Sequence, residues 1–205
     1  MRAPAKLYLA SGNSGKLGEF RALTGSAELA AGIELELVPG FASLPVFEED
    51  APTFAENALG KALHCSRHSP VSADALVFAD DSGLVVPALG GAPGVLSARY
   101  AGPTANAAER NAKLLKELQG SSGVERTAYF VCVIALVEDG RAVAIVSDRV
   151  DGMILEAPRG ERGFGYDPVF YFPELGRSFA ELSAEEKNKH SHRGKAFRRL
   201  LALMR

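Results

Sequence analysis

A chain of 205 residues with 47% hydrophobic and 23% charged residues has the length for one large domain, or two closely packed lobes, and the balance of a folded core, which excludes general disorder and fibrous repeats. Lys and Arg number 23 against 25 Asp and Glu, a net charge of −2, so there is no overall positive field to hold a nucleic acid polymer, and any polyanion it binds must be small and locally held. No apolar run approaches the roughly 20 residues that cross a bilayer and Met1 to Ala10 is too short in apolar residues for a signal peptide, so no membrane partner and a cytoplasmic location are expected.

Lys6 to Ala10 reads as a short strand running into a loop of small residues, Ser11 to Lys16, and then a helix from about Leu17 to Leu23. Ile33 to Val38 alternates as a half-buried strand. Pro39 to Pro52 is irregular and acidic, with Glu48, Glu49 and Asp50 in succession. Thr53-Phe54-Ala55-Glu56 matches a capping box and predicts a helix to about Ser66. Leu76 to Ala79 is expected to be a brief strand ending at Asp80 and Asp81, and Gly90-Gly91-Ala92-Pro93-Gly94 is a glycine-dependent loop. A helix over Ala105 to Leu118 follows. Thr127 to Val137 and Ala142 to Val150 read as a hairpin through Asp139-Gly140. Gly160 to Asp167 is a glycine-punctuated loop, Ser183 to Glu186 a second capping box, and Lys195 to Arg205 a terminal amphipathic helix. The two cysteines, Cys65 and Cys132, lack the paired spacing of a zinc site and are expected to be buried free thiols. Strand-helix alternation plus an antiparallel hairpin predicts an α/β fold: a mixed twisted sheet flanked by helices, one domain over residues 1–205.

Four features could carry chemistry. The loop Ser11-Gly12-Asn13-Ser14-Gly15-Lys16 offers backbone N–H groups, a helix N-terminus and a lysine to phosphate oxygens, although its spacing is not that of a Walker A loop and a tight turn with a solvated lysine would look similar. Asp80 and Asp81 sit where open α/β sheets place ligands, and two like charges there need a cation to offset them. Mg²⁺ accepts one or two protein carboxylates, and Glu48 with Asp81 would suit it; helix capping by an aspartate would explain one acid and not both. Phe164, Tyr166 and Asp167 could stack on a base and accept its N–H, or plug a core beneath a turn. Lys187 to Gly194 is a cationic run, which by itself reads as a solvated stretch. Together the four are the parts of a nucleoside triphosphate site.

Six motifs in order, Ser11 to Lys16, Thr53 to Ala58, Ala79 to Leu84, Gly90 to Gly94, Gly163 to Pro168 and Ser191 to Gly194, resemble the inosine triphosphate pyrophosphatase family, whose members clear non-standard purine nucleotides from the cellular pool. The resemblance implies hydrolysis of ITP, dITP and XTP to the monophosphate and pyrophosphate, with Mg²⁺ as cofactor, in a homodimer whose protomers have an active-site cleft between two lobes. It places the phosphate loop at Ser11, Gly12, Asn13, Ser14, Gly15 and Lys16, metal ligands at Glu48 and Asp81, and the general base at Asp81, with Asp80 keeping Asp81 aimed. Ser82, Phe164, Gly165, Tyr166, Asp167, Lys187, His192 and Arg193 fall on substrate-contact positions, with donors from His192 or Arg193 expected at the purine O6. The acidic loop departs from the family pattern at Ala51 and Pro52, where a glycine is usual, which leaves Glu49 as the alternative ligand. A nucleotide sensor and an enzyme acting on modified pyrimidine triphosphates are the rival readings.

Overall fold

The computed structural model describes residues 5–26, 33–72 and 74–204. Seven strands form one sheet in the order β2-β1-β3-β4-β5-β6-β7, taking β1 as Ala5–Leu9, β2 as Ile33–Leu37, β3 as Leu76–Val85, β4 as Thr127–Glu138, β5 as Arg141–Ile154, β6 as Phe170–Phe172 and β7 as Arg177–Ser178. β1 pairs in parallel with both β2 and β3, whereas β6 is antiparallel to β5 and to β7. The sheet is therefore mixed, as expected. The helices are α1 (Ser14–Ser26), α2 (Phe54–His68), α3 (Ala107–Glu117), α4 (Ala184–His190) and α5 (His192–Leu203). No helix among the described residues is long and apolar enough to cross a membrane.

Local chemistry explains most boundaries. Thr53 caps α2 by accepting from the Glu56 N–H, and its own hydroxyl donates to Glu56 Oε2 at 2.6 Å. Asn106 and Glu109 form a complete capping box on α3, as Ser183 and Glu186 do on α4. Each such cap satisfies N–H groups that a helix start leaves without partners. Asp139 and Gly140 turn the β4–β5 hairpin with φ of 49° and 65°, the left-handed pair that a two-residue turn between antiparallel strands requires.

The chain divides into two compact units, the first comprising residues 1–81, 132–148 and 193–205 and the second 82–131 and 149–192. In the first, Phe20, Phe78 and Phe197 pack with ring centroids 4.9 to 5.6 Å apart, joined by Leu7, Leu9, Ile134 and Leu200. Cys132 lies in that core, and both it and Cys65 are buried free thiols, as their setting in the sequence predicts. In the second, Phe130, Phe170, Phe172 and Phe179 meet Leu84, Leu114, Ile154 and Val169. Burying each such aromatic or aliphatic side chain contributes about 1.5–3 kcal/mol.

Several boundaries differ from expectation: α1 starts at Ser14, inside the expected Ser11–Lys16 loop, and runs to Ser26, and β5 runs on to Ile154. β3 continues to Val85, so Asp80 and Asp81 lie inside a strand and cap no helix. The parallel pairing with β1 nonetheless stops at Phe78, which leaves the two carboxylates just past the end of that ladder. The terminal helix starts at His192, three residues before the predicted Lys195, and the predicted Arg205 lies outside the described residues.

Candidate functional site

Successive side chains of a strand point to opposite faces, and this separates the two aspartates of β3. The Asp80 carboxylate is fully buried. Its Oδ2 accepts from Lys16 Nζ at 2.9 Å and from Arg193 Nε at 3.4 Å, while Arg193 also pairs with Glu19. Burial pushes Asp80 up, but the charges of Lys16, Arg193 and Lys61 outweigh it and hold the carboxyl well below the usual range. Asp80 is an ionised anchor for two cations.

Asp81 meets different neighbours. Asn57 Nδ2 donates to its Oδ2 at 3.0 Å. Burial raises Asp81 above the ordinary carboxylate range and the charge of Glu49 adds to this, against Lys16, the Asn57 hydrogen bond and Lys61. A carboxylate with a raised proton affinity, held in place by an amide, is equipped to take a proton.

Asn57 does a second job. Its Oδ1 accepts from the Ala51 N–H at 3.0 Å and its Nδ2 reaches the Ala51 carbonyl at 3.4 Å, which fastens the acidic loop to α2. The loop is thereby fixed at the position where the family pattern departs. Glu49, rather than Glu48, is the acid of this loop that acts on Asp81; Glu48 is exposed, whereas Glu49 is half-buried and pairs with Lys61 Nζ at 2.6 Å. Lys61 is itself buried; that burial lowers its proton affinity, but Asp80, Glu49 and Asp81 raise it further and keep the ammonium charged. Asn57 falls inside the Thr53–Ala58 motif with no role assigned to it there, and Lys61 lies beyond that motif. Their spacing of four residues on α2, which puts them on one helix face, is the signal that could have found them.

The small-residue loop is built around its own caps. Asn13 Oδ1 accepts from the N–H groups of Gly15 and Lys16 at 2.9 and 3.2 Å, and Ser11 Oγ accepts from the Asn13 N–H at 3.2 Å. The N–H groups of Gly15 and Lys16, expected to face phosphate, are satisfied by Asn13 here. Gly12 has the Phe41 ring beside it, 3.2 Å from where a Cβ would stand. The side chain of Ser14 lies outside the described residues.

In the second unit, Gly163 (φ 75°) and Gly165 (φ 63°) flank Phe164. A Cβ on Gly163 would stand 2.9 Å from Asp167 Cγ and closer still to Oδ2, so no other residue lets the turn close on that carboxylate. Asp167 Oδ2 accepts from the Phe164 N–H at 2.7 Å and from Lys187 Nζ at 2.6 Å, and that ammonium lies 4.5 Å from the Phe164 ring centroid. Phe164 is 37% exposed whereas Tyr166 is 4% exposed. Tyr166 belongs to the core and donates its hydroxyl to the Ser97 carbonyl at 2.9 Å, so of the two aromatics Phe164 alone presents a face to solvent. Ser82 is half-buried, next after Asp81 in β3.

The cationic run is not a solvated stretch. Lys187, Asn188, Ser191, His192 and Arg193 are all buried. Lys187 closes on Asp167, and the His192 ring stacks on Phe130 with centroids 4.8 Å apart and planes 12° from parallel. Arg193, expected at the base, directs Nε and Nη1 to Asp80 and Glu19 in the first unit.

A family model described as the Ham1 family matches residues 7–203. The chain belongs to the Ham1 family. A curated dITP/XTP pyrophosphatase of Geobacillus kaustophilus is 50% identical to it over 195 residues, 95% of this chain and 92% of that protein. One of Thermus thermophilus is 50% identical over 197 residues, 96% of this chain and 90% of the relative. Among solved structures, a HAM1 protein from Coxiella burnetii superposes with a TM-score of 0.83 at 42% identity, covering 98% of each chain. The Staphylococcus aureus Ham1 protein gives 0.82 at 35% identity over 97% of each.

Proposed function

We propose that this Ham1-family chain hydrolyses non-standard purine nucleoside triphosphates, dITP, ITP and XTP, to the nucleoside monophosphate and pyrophosphate. The observation that carries the reading is Asp81: a buried carboxylate of raised proton affinity, oriented by Asn57, with Glu49, Lys16 and Lys61 acting on it. The names of the curated relatives supply the substrate class.

The chemistry assigned to these residues is attack by water on the α-phosphorus. The water oxygen bonds to phosphorus, its proton passes to Asp81, and the bond from the α-phosphorus to the bridging oxygen breaks as pyrophosphate leaves. Lys16 and Lys61 supply fixed positive charge for the phosphoryl oxygens, whose charge must be stabilised as the bond breaks. Asp80 and Arg193 hold Lys16 and the strand in place. Phe164 offers a ring face to the purine, and the Lys187–Asp167 pair and His192 offer polar groups for its edge.

A divalent cation fits the donor set. Glu49 and Asp81 are hard oxygen donors, and burial, with the charge of Glu49 adding to it, raises Asp81; Mg²⁺ takes one or two such carboxylates and completes its shell with phosphate and water. When bound there it supplies charge neutralisation at the phosphate oxygens and lowers the pKa of a coordinated water. Cytoplasmic residence and a homodimer belong to the same reading, the latter checked by sedimentation.

Incubation with dITP and Mg²⁺, with product identification, tests the activity. Deoxyinosine monophosphate and pyrophosphate are expected, with slower turnover of dATP and pyrimidine triphosphates, and with activity abolished by EDTA and restored by added Mg²⁺. Release of orthophosphate instead of pyrophosphate, or binding without turnover, overturns the reading; undiminished turnover in EDTA removes the metal from it.

A further inference from the structure

We propose that Asn111, on α3, is a positioning residue for base selection: by holding the Gly165 carbonyl it aims Phe164 and Asp167 at the purine. The inference rests on the reading above that the Gly163–Asp167 loop meets the base. Asn111 Nδ2 donates to the Gly165 carbonyl at 3.1 Å, across 54 residues of sequence. The residue is 6% exposed and its Oδ1 is buried with no hydrogen-bond partner among the described residues. A buried acceptor left in that state costs stability, whereas an apolar residue would not carry the cost. What the amide does provide is a donor at one fixed point of the loop.

The surroundings give that single bond its weight. Between α3 and the loop lies a cavity of about 520 Å³, lined among others by Ala107, Asn111, Ala112, Leu115, Phe164 and Pro168. That open volume beside the loop is space no side chain fills. Directly after Gly165 the loop is secured differently, since Tyr166 is buried in the core and the Asp167 carbonyl accepts from the Ala180 N–H at 3.2 Å. Gly165, with its free choice of backbone angles, lies between the anchored part and Phe164. The Asn111 tether fixes it there, and with it the direction of the Phe164 ring and of the N–H that Asp167 Oδ2 accepts.

The test compares Asn111→Asp, Asn111→Ala and Phe164→Ala by steady-state kinetics with dITP and dATP. Asn111→Asp keeps the shape and replaces the donor with an acceptor; Asn111→Ala removes the tether without adding charge, and whichever folds decides. The KM for dITP is expected to rise about three- to tenfold, the worth of one neutral hydrogen bond, with kcat changing less and the preference for dITP over dATP narrowing. A role confined to the stability of α3 would leave the KM and the preference where they are, and that result overturns the inference. If Phe164→Ala raises the KM while neither Asn111 variant does, the inference alone fails; if Phe164→Ala leaves the KM unchanged, the reading of the loop fails and the inference with it.

Discussion

Replacing Asp81 with Asn is expected to lower kcat for dITP by about 10²–10⁴-fold, the range that a positioned general base contributes, while nucleotide binding largely persists. The substitution is nearly isosteric. An amide oxygen at position 81 can still accept from Asn57 Nδ2, so the side chain keeps its orientation and loses its capacity to take a proton. The same change should not lower the melting temperature. Because burial and Glu49 raise Asp81 in the folded state, ionising it costs folding free energy at every pH above its folded value, and the neutral amide removes that cost. Turnover measured by pyrophosphate release, binding by nucleotide titration and stability by thermal unfolding together check the pattern. Near-normal turnover would take Asp81 out of the base role.

The neighbouring substitution, Asp80→Asn, is expected to act in the opposite sense on stability, with a loss of about 3–5 kcal/mol, typical of breaking a buried ion pair by removing one partner. Lys16 and Arg193 would lose the carboxylate they share, and both are largely withdrawn from water, with side chains 14% and 4% exposed. The pH dependence has a definite direction. Asp80 is depressed in the folded state, so its contribution is complete above its unfolded pKa of about 3.9 and falls as pH drops through that value toward the lower folded one. The stability gap between wild type and variant should therefore be constant near neutrality and narrow below about pH 4. Urea denaturation across that range measures it, and a pH-independent gap would show that the carboxylate's charge is not what Lys16 and Arg193 need. Two adjacent acids of one strand would then have been separated experimentally into a stabilising residue and a reactive one.

The parts of the fold that local chemistry dictates were legible in the sequence. The caps at Thr53 and Ser183, the Asp139-Gly140 turn and the strand-loop-helix opening all depend on residues a few positions apart, and all are present. What local reading could not see is compensation from afar. Asp80 and Asp81 looked like the end of a strand because a charged pair inside one is costly; the cations that permit it stand 64 and 113 residues away. For the same reason the run from Lys187 to Arg193 looked solvated, although Asp167 lies 20 residues before Lys187 and Glu19 lies 174 before Arg193. Glu48 and Glu49 are chemically identical neighbours, and what separates them is the ion pair of Glu49 with Lys61, 12 residues further on. Phe164 and Tyr166 are likewise two rings in one short loop, and the hydrogen bond to Ser97 takes the second into the core.

Cys65 sits on α2, the helix that also presents Asn57 and Lys61, with 2% of its surface exposed and its thiol pushed up to about 11 by burial. Near neutral pH almost none of it is thiolate, the form that reacts with alkylating agents. Labelling must therefore wait for α2 to lift away from its neighbours, and its rate then reports how often that happens. The protein thus contains its own kinetic probe for the helix that orients the proposed base, readable by mass spectrometry after alkylation, and a nucleotide that steadies α2 should slow the modification in proportion to its occupancy.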